Sequence, residues 1–314
     1  MDNVSNISNM QIQWYPGHMT KTKRMLTAQM GLIDVVVEVL DARVPLSSRN
    51  PDIDSLAKGK KRVLVLNKAD LADPNITAQW EEHFRNLGFF TLRLNAKEND
   101  KKKSGVSAFH EMLKKIMEER AAAQRKRGRI NVPTRAMIVG IPNVGKSTFI
   151  NMLAGRASTT TADRPGVTRG RQWIKVGTSI DLMDTPGVLW PKFEDQEVGR
   201  KLAVTGAVSD NVVDKIELAE HLIHMLMERY PQALATRYNI ADSINNEKPP
   251  AHATYTPQAL RQILAAIGEK RGFKLKGGTV DIERAAIILL DELRGGKLGP
   301  ISLESPLENS SESQ

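Results

Sequence analysis

The chain has no cysteine, which excludes disulfides, thiolate metal sites and cysteine nucleophiles and fits a reducing compartment. Long apolar runs are missing too: no segment approaches the roughly 20 apolar residues needed to span a bilayer. The opening stretch MDNVSNISNM has no basic region followed by an apolar run. Neither secretion nor membrane insertion is therefore expected, and the cytoplasm is the default location. The absence of a lipidation signal disfavours a membrane-anchored signalling role.

What is present is an ordinary globular composition over 314 residues, with 40% hydrophobic and 26% charged side chains. That length suits a nucleotide-binding domain with a second domain appended. Lys and Arg total 45 against 36 acidic residues, a formal charge of +9. The positive charge is grouped, with Arg125, Lys126, Arg127 and Arg129 in one cluster and Lys270, Arg271, Lys274 and Lys276 in another. Clustered cations favour a polyanionic partner, nucleic acid above all, through phosphate contacts and counterion release.

Short apolar runs at 33–40, 62–67 and 89–94 have the form of buried parallel strands, and helical patterns at 75–87 and 106–124 lie between them. A fourth strand at 135–140 enters a glycine-containing loop and a helix near Lys146, and 171–176 with 179–184 reads as a hairpin. Strand and helix alternate, so the expected fold class is α/β: a six-stranded, mostly parallel sheet with helices on both faces, followed by a small all-α domain. The domain limits expected are 1–194 for the sheet domain, 195–300 for the helical one, and 301–314 for a disordered acidic, Ser-rich tail. Within the helical part, helices are expected at 195–205, 212–230, 256–271 and 280–294, with 245–250 an exposed connection.

The strongest chemical signal is GIPNVGKS at 140–147, the phosphate-loop spacing, placed between a strand and a helix as that motif requires. The phosphate-binding set is Pro142, Asn143, Val144, Gly145, Lys146, Ser147 and Thr148. Glycines let backbone N–H groups face a β-phosphate at a helix N-terminus, Lys146 adds a point charge, and the Ser147 hydroxyl suits magnesium. Downstream, DTPG ends a strand, where Asp184 can hold magnesium through water and the Gly187 N–H can sense a γ-phosphate. Between them, Thr168 in RPGVTRG is either a hydroxyl that closes over the metal or part of a solvated loop. For Asn143 a monovalent-cation ligand and a loop-stabilising hydrogen bond are both open.

Upstream stands NKAD, with Asn67, Lys68 and Asp70. A carboxylate at 70 accepts both donors on guanine's Watson–Crick edge, a pair that adenine does not offer, so Asp70 should set base choice. Asn95, Ala96 and Lys97 follow the next strand and would back the base with main-chain N–H groups. The base motifs precede the phosphate motifs, the reverse of the usual GTPase order, which indicates a circular permutation. Joining the ends on paper restores an uninterrupted sheet and brings WYPGHM, residues 14–19, near the switch. Many GTPases orient water with a Gln after the switch glycine, but Val188 stands there. His18 is then a candidate for orienting the attacking water, with a helix cap or a surface position as the alternative.

With WYPGHM, LDAR at 40–43, NKAD, GIPNVGKS, PGVT at 165–168, DTPG, GGTVDIERAA and LRGGKLG together, the chain resembles, over almost its whole length, the circularly permuted GTPases of the YlqF/YawG group. The resemblance implies a cytoplasmic GTPase acting late in maturation of the large ribosomal subunit and stimulated by that particle. It maps the family's catalytic histidine onto His18 and a potassium dependence onto Asn143, and it implies magnesium as cofactor. It further implies that the helical domain contacts ribosomal RNA, making 270–276 and 294–297 candidate contacts, and that the protein is monomeric away from the particle. Asn95 departs from the Ser usual in that position. The rival class is an RNA-binding assembly scaffold that holds nucleotide as a structural ligand.

Overall fold

The computed structural model describes residues 18–95, 105–129, 132–155, 172–187, 195–249 and 253–306. They fall into two compact units: one from 18 to 187 joined by 304–306, and one from 195 to 303.

The first unit is built on six strands: β1 (Val35–Asp41), β2 (Lys61–Asn67), β3 (Phe90–Arg93), β4 (Thr134–Val139), β5 (Gln172–Val176) and β6 (Ile180–Asp184). Their order in the sheet is β3-β2-β1-β4-β6-β5. All neighbours are parallel except β5, which runs antiparallel to β6. β1, reading VVVEVLD, is buried along its whole length, as expected of a central parallel strand covered on both faces. The permutation is visible in the strand order: β4, fourth in the chain, lies in the centre, with β1 to β3 on one side and β6 and β5 on the other. The connections leaving β1 and β4 therefore diverge, which opens a crevice at the carboxyl ends of these strands, the usual ligand position in open α/β sheets.

Helices α1 (His18–Gln29), α2 (Asp52–Leu56), α3 (Pro74–Asn86), α4 (Val106–Lys126) and α5 (Lys146–Ala154) belong to this unit. Asp73 caps α3 through the Asn75 and Ile76 N–H groups, and Pro74 follows at the first helical position, where its missing N–H has no cost. α3 sinks Trp80 and Phe84 into a cluster with Leu40, Leu64 and Leu66 from the sheet. α4 buries Val106, Phe109, Leu113, Ile116 and Met117, one helical stripe at three- and four-residue spacing. Its Phe109 meets Phe149 of α5 edge to face at 5.1 Å.

The second unit contains α6 (Gln196–Val204), α7 (Lys215–Arg229), α8 (Pro231–Tyr238), α9 (Ala241–Glu247), α10 (Pro257–Lys270) and α11 (Ile282–Arg294). Asp195, Asp214, Thr256 and Asp281 cap four of them. α7, α10 and α11 pack against one another, with Leu222, Leu226, Leu260, Ile263, Leu289 and Leu290 in the core. The stretch expected as a connection at 245–250 instead begins inside α9, which buries Ile244. An isolated bridge, Lys274 to Val280, is the one strand-like pairing among the described residues here.

The expected tail from 301 is also corrected. Residues 301–306 are buried, and the Glu304 carboxylate accepts from the Leu46 and Ser47 N–H groups and the Ser47 hydroxyl. Residues 307–314 lie outside the described part.

Candidate functional site

β4 delivers the chain into the phosphate loop. Within it Asn143 has φ 58° and Gly145 φ 95°, left-handed values that curl the backbone so that successive N–H groups share one concave side. A side chain at 145 would also overlap the Asn67 amide nitrogen, so the glycine is required twice. α5 starts at Lys146 with no side-chain cap and no acidic residue in its first turn. A helix N-terminus with no capping carboxylate suits an anion. Pro142 and Val144 are buried, and Asn143, Gly145, Ser147 and Thr148 are partly open. Lys146 is 7% exposed, and its Nζ folds back to donate to the Ile141 carbonyl at 2.8 Å. Burial lowers its pKa to about 8, against the opposing pull of the Asp184 carboxylate.

Asp184 is the last residue of β6, paired in register with Ile138 of β4. It is 1% exposed, and its Oδ1 has no hydrogen-bond partner among the described residues. Burial raises its pKa to about 6, partly offset by the Lys146 ammonium and the Thr185 N–H. The Thr185 hydroxyl donates to the Ile138 carbonyl at 2.7 Å, fixing the turn that follows. A Cβ on Gly187 would stand 2.8 Å from the Pro142 nitrogen and 3.1 Å from Lys146 Nζ. DTPG thus lies against the phosphate loop, at a distance only glycine permits.

An unpaired buried carboxylate oxygen beside an ammonium fits a hydrated magnesium ion, which uses one or two carboxylates and completes its shell with water and phosphate oxygens. The described residues hold no cluster of three or more His, Cys, Asp or Glu that could hold a metal ion.

NKAD begins at the carboxyl end of β2. Asn67 Nδ2 donates to the Val144 carbonyl at 2.7 Å, tying the base motif directly to the phosphate loop. Lys68 adopts φ 58°, costing about 1–2 kcal/mol for a residue with a Cβ. Its Nζ lies 2.8 Å from Asp41 Oδ2. Asp41 in turn receives Arg43 Nε at 2.9 Å and Arg43 Nη2 at 2.7 Å, and both residues are almost wholly buried. Burial works against the charged form of Asp41, yet the Arg43 and Lys68 cations hold its carboxyl well below the ordinary range. Asp70 is exposed beyond this network. The Ala69 N–H donates to the Leu94 carbonyl at 3.2 Å, which sets Asn95 beside the motif. Asp41 and Arg43 had no role beyond the LDAR resemblance; the signal was two charges directly continuing an apolar strand.

Ala96, Lys97, Thr168 and Val188 lie outside the described residues, as does the side chain of His18, whose backbone opens α1. In the helical unit, Lys270, Lys274, Lys276 and Lys297 are exposed. Arg294 is not an outward-facing cation: it grips both Asp210 oxygens at 2.8 Å and the Ala203 and Val204 carbonyls, which corrects its place among the expected RNA contacts. Arg271 likewise donates to Glu292 at 2.9 Å.

A family model described as 50S ribosome-binding GTPase matches residues 135–253. Ribosome biogenesis GTPase A of Priestia megaterium is 44% identical over 299 residues, covering 95% of this chain and 98% of that protein. The chain belongs to the ribosome biogenesis GTPase A family. The Thermotoga maritima protein of that family is 31% identical, over 94% of this chain and 95% of its own length. The solved GDP-bound YlqF structure superposes with a TM-score of 0.59 at 26% identity, over 90% of this chain and all of that one. A GNP-bound YlqF from T. maritima gives a TM-score of 0.56 over 91% of this chain and 98% of that one. As a member of the family, the protein is a GTP hydrolase built on a permuted phosphate-loop fold. None of its described helices is long and apolar enough to cross a membrane.

Proposed function

We propose that this GTPase works in the cytoplasm as a late assembly factor of the large ribosomal subunit: it binds GTP with magnesium, contacts ribosomal RNA, and leaves when the particle stimulates hydrolysis. The reading rests on the convergence of NKAD, GIPNVGKS and DTPG at the carboxyl ends of β2, β4 and β6, with Asn67 bonded to Val144 and Gly187 against the Lys146 ammonium.

In this reading Asp70 accepts from guanine, and the main chain at Asn95, Ala96 and Lys97 backs the base. Lys146 and the first turn of α5 carry the β- and γ-phosphates, and the Gly187 N–H reports the γ-phosphate. Ser147, Thr168 and Asp184 hold magnesium, whose charge offsets that of the phosphates. Asn143 is the side chain toward potassium. With Val188 unable to orient water, His18 takes that task, which predicts that His18→Ala slows hydrolysis by about 100-fold while GTP affinity stays within about twofold.

The test is hydrolysis measured in potassium and in sodium, with and without large subunits. Stimulation by particles, greater in potassium, is expected. A rate that particles leave unchanged would favour the scaffold reading, in which nucleotide is a structural ligand.

A further inference from the structure

A buried charged cluster near the crevice is one that the proposed function leaves without a task. Asp41 and Arg43 are 2% and 1% exposed, on the two sides of Ala42, just where β1 ends beside Asn67 of β2. The Arg43 guanidinium closes on both carboxylate oxygens, and the Arg43 N–H donates to Oδ1 at 3.1 Å. The pair is therefore a rigid fork with one further cation on it, the Lys68 ammonium at 2.8 Å. Arg43 also feels the Asp70 carboxylate electrostatically.

Sequestering an ion pair at the end of an apolar strand costs desolvation that packed apolar side chains would avoid. Lys68, meanwhile, is held in a left-handed conformation that a residue with a Cβ avoids. Such conformations persist where the surroundings over-determine them, and they collect at ligand sites. One arrangement accounts for both costs. The left-handed step at Lys68 leads the chain to the exposed Asp70, and the Asp41 carboxylate anchors that step through the Lys68 ammonium.

We propose that the Asp41–Arg43 pair is a positioning device for guanine recognition, acting through Lys68 and holding Asp70 ready for the base. This rests on the guanine site proposed above. In this role the pair acts on the residues that hold the base rather than on the nucleotide itself. Its loop is itself secured: the Asp41 N–H donates to the Ser48 hydroxyl at 3.1 Å, and the adjoining Leu46 and Ser47 N–H groups end on Glu304.

The experiment is fluorescent GDP and GTP binding to the full-length protein, with hydrolysis at saturating GTP and thermal unfolding measured alongside. Asp41→Asn should weaken GDP and GTP equally, by about tenfold, because the base end is common to both. Hydrolysis at saturation should stay within about twofold, because the phosphate end is untouched. Introduced into a Lys68→Met background, Asp41→Asn should cost no further affinity, since its route is already cut. Arg43→Lys keeps a cation on Asp41 but loses the fork, and it supplies the same readout in a milder form should Asp41→Asn fail to fold; a several-fold loss is expected. Undiminished affinity in Arg43→Lys, or full additivity of Asp41→Asn with Lys68→Met, overturns the proposal. Asp70→Asn in the same assay separates the two levels: if it fails to shift preference from GTP toward xanthosine triphosphate, the guanine site itself is misassigned. If it does shift preference while Asp41→Asn changes nothing, only the positioning role falls.

Discussion

Asp184 and Lys146 sit buried at the heart of the phosphate site, each with its charged form disfavoured by burial and each partly rescued by the other. Burial lifts the Asp184 carboxyl from its ordinary 3.8 to about 6, so the folded state binds more protons between those values. The ligand-free protein therefore loses this group's contribution as pH rises through about 6. Asp184→Asn should remove that slope and raise the melting temperature of the nucleotide-free protein near neutral pH by about 2–4 °C, while abolishing the gain that magnesium adds to GDP binding. Calorimetric scans with and without magnesium and GDP check both halves. Gly145→Ala tests the other close contact. Its methyl group would meet the Asn67 amide at a left-handed position, so nucleotide binding should fall below detection in a protein that still folds.

At the scale of elements, two buried acids hold helices and loops together. Glu292 of α11 accepts from Arg237 at 2.8 Å through two bonds, from the Tyr238 hydroxyl at 2.8 Å and from Arg271, binding α8 and the end of α10 to α11. The Arg237 hydrogen bonds pull its pKa to about 2 from 4.5. Its stabilising share is complete above 4.5 and is lost as pH falls through about 2. Glu292→Gln should destabilise the helical unit by about 1–3 kcal/mol and flatten its acid transition, as followed by far-UV circular dichroism. Glu304 plays the corresponding part in the nucleotide unit, securing the 44–48 loop and accepting Trp80 Nε1 on its carbonyl at 3.2 Å. Glu304→Ala leaves two backbone donors without their acceptor and should cost about 1–3 kcal/mol. Faster amide exchange at Leu46 and Ser47 is the specific sign to measure.

At the scale of the whole molecule, the helical unit is connected in sequence to the nucleotide unit at both ends: on one side the residues after DTPG, on the other the step from Leu303 to Glu304. The first link runs to the γ-phosphate end of the proposed site, the second to the loop beside Arg43. Exposed Lys270, Lys274, Lys276 and Lys297 give the helical unit its outward positive charge. Replacing Lys274 and Lys276 by Ala should weaken binding to large subunits and flatten its salt dependence, measured by pelleting with particles over a salt series. Arg294→Ala should instead destabilise the unit, because that side chain grips Asp210 internally.

The sequence by itself determined what depends on neighbours along the chain. All six strands, the long helices α3, α4, α7, α10 and α11, the phosphate loop and the permuted motif order follow from apolar period, capping residues and glycine placement, which act within a few residues. The short helices α2, α8 and α9 escaped because a turn or two carries too little periodicity to be told from a loop. What only the tertiary structure decided is which distant groups meet. Asn67 finds Val144 across 77 positions, Ser47 finds Glu304 across 257, and Arg294 finds Asp210 across 84. Those meetings turned an expected tail into a buried clamp, a surface arginine into an internal brace, and the Asp-Ala-Arg of the family resemblance into the support of Lys68. A charge's role depends on whether folding leaves it in water or against a partner, and that choice is made by packing of the whole sheet and bundle rather than by the residues beside it.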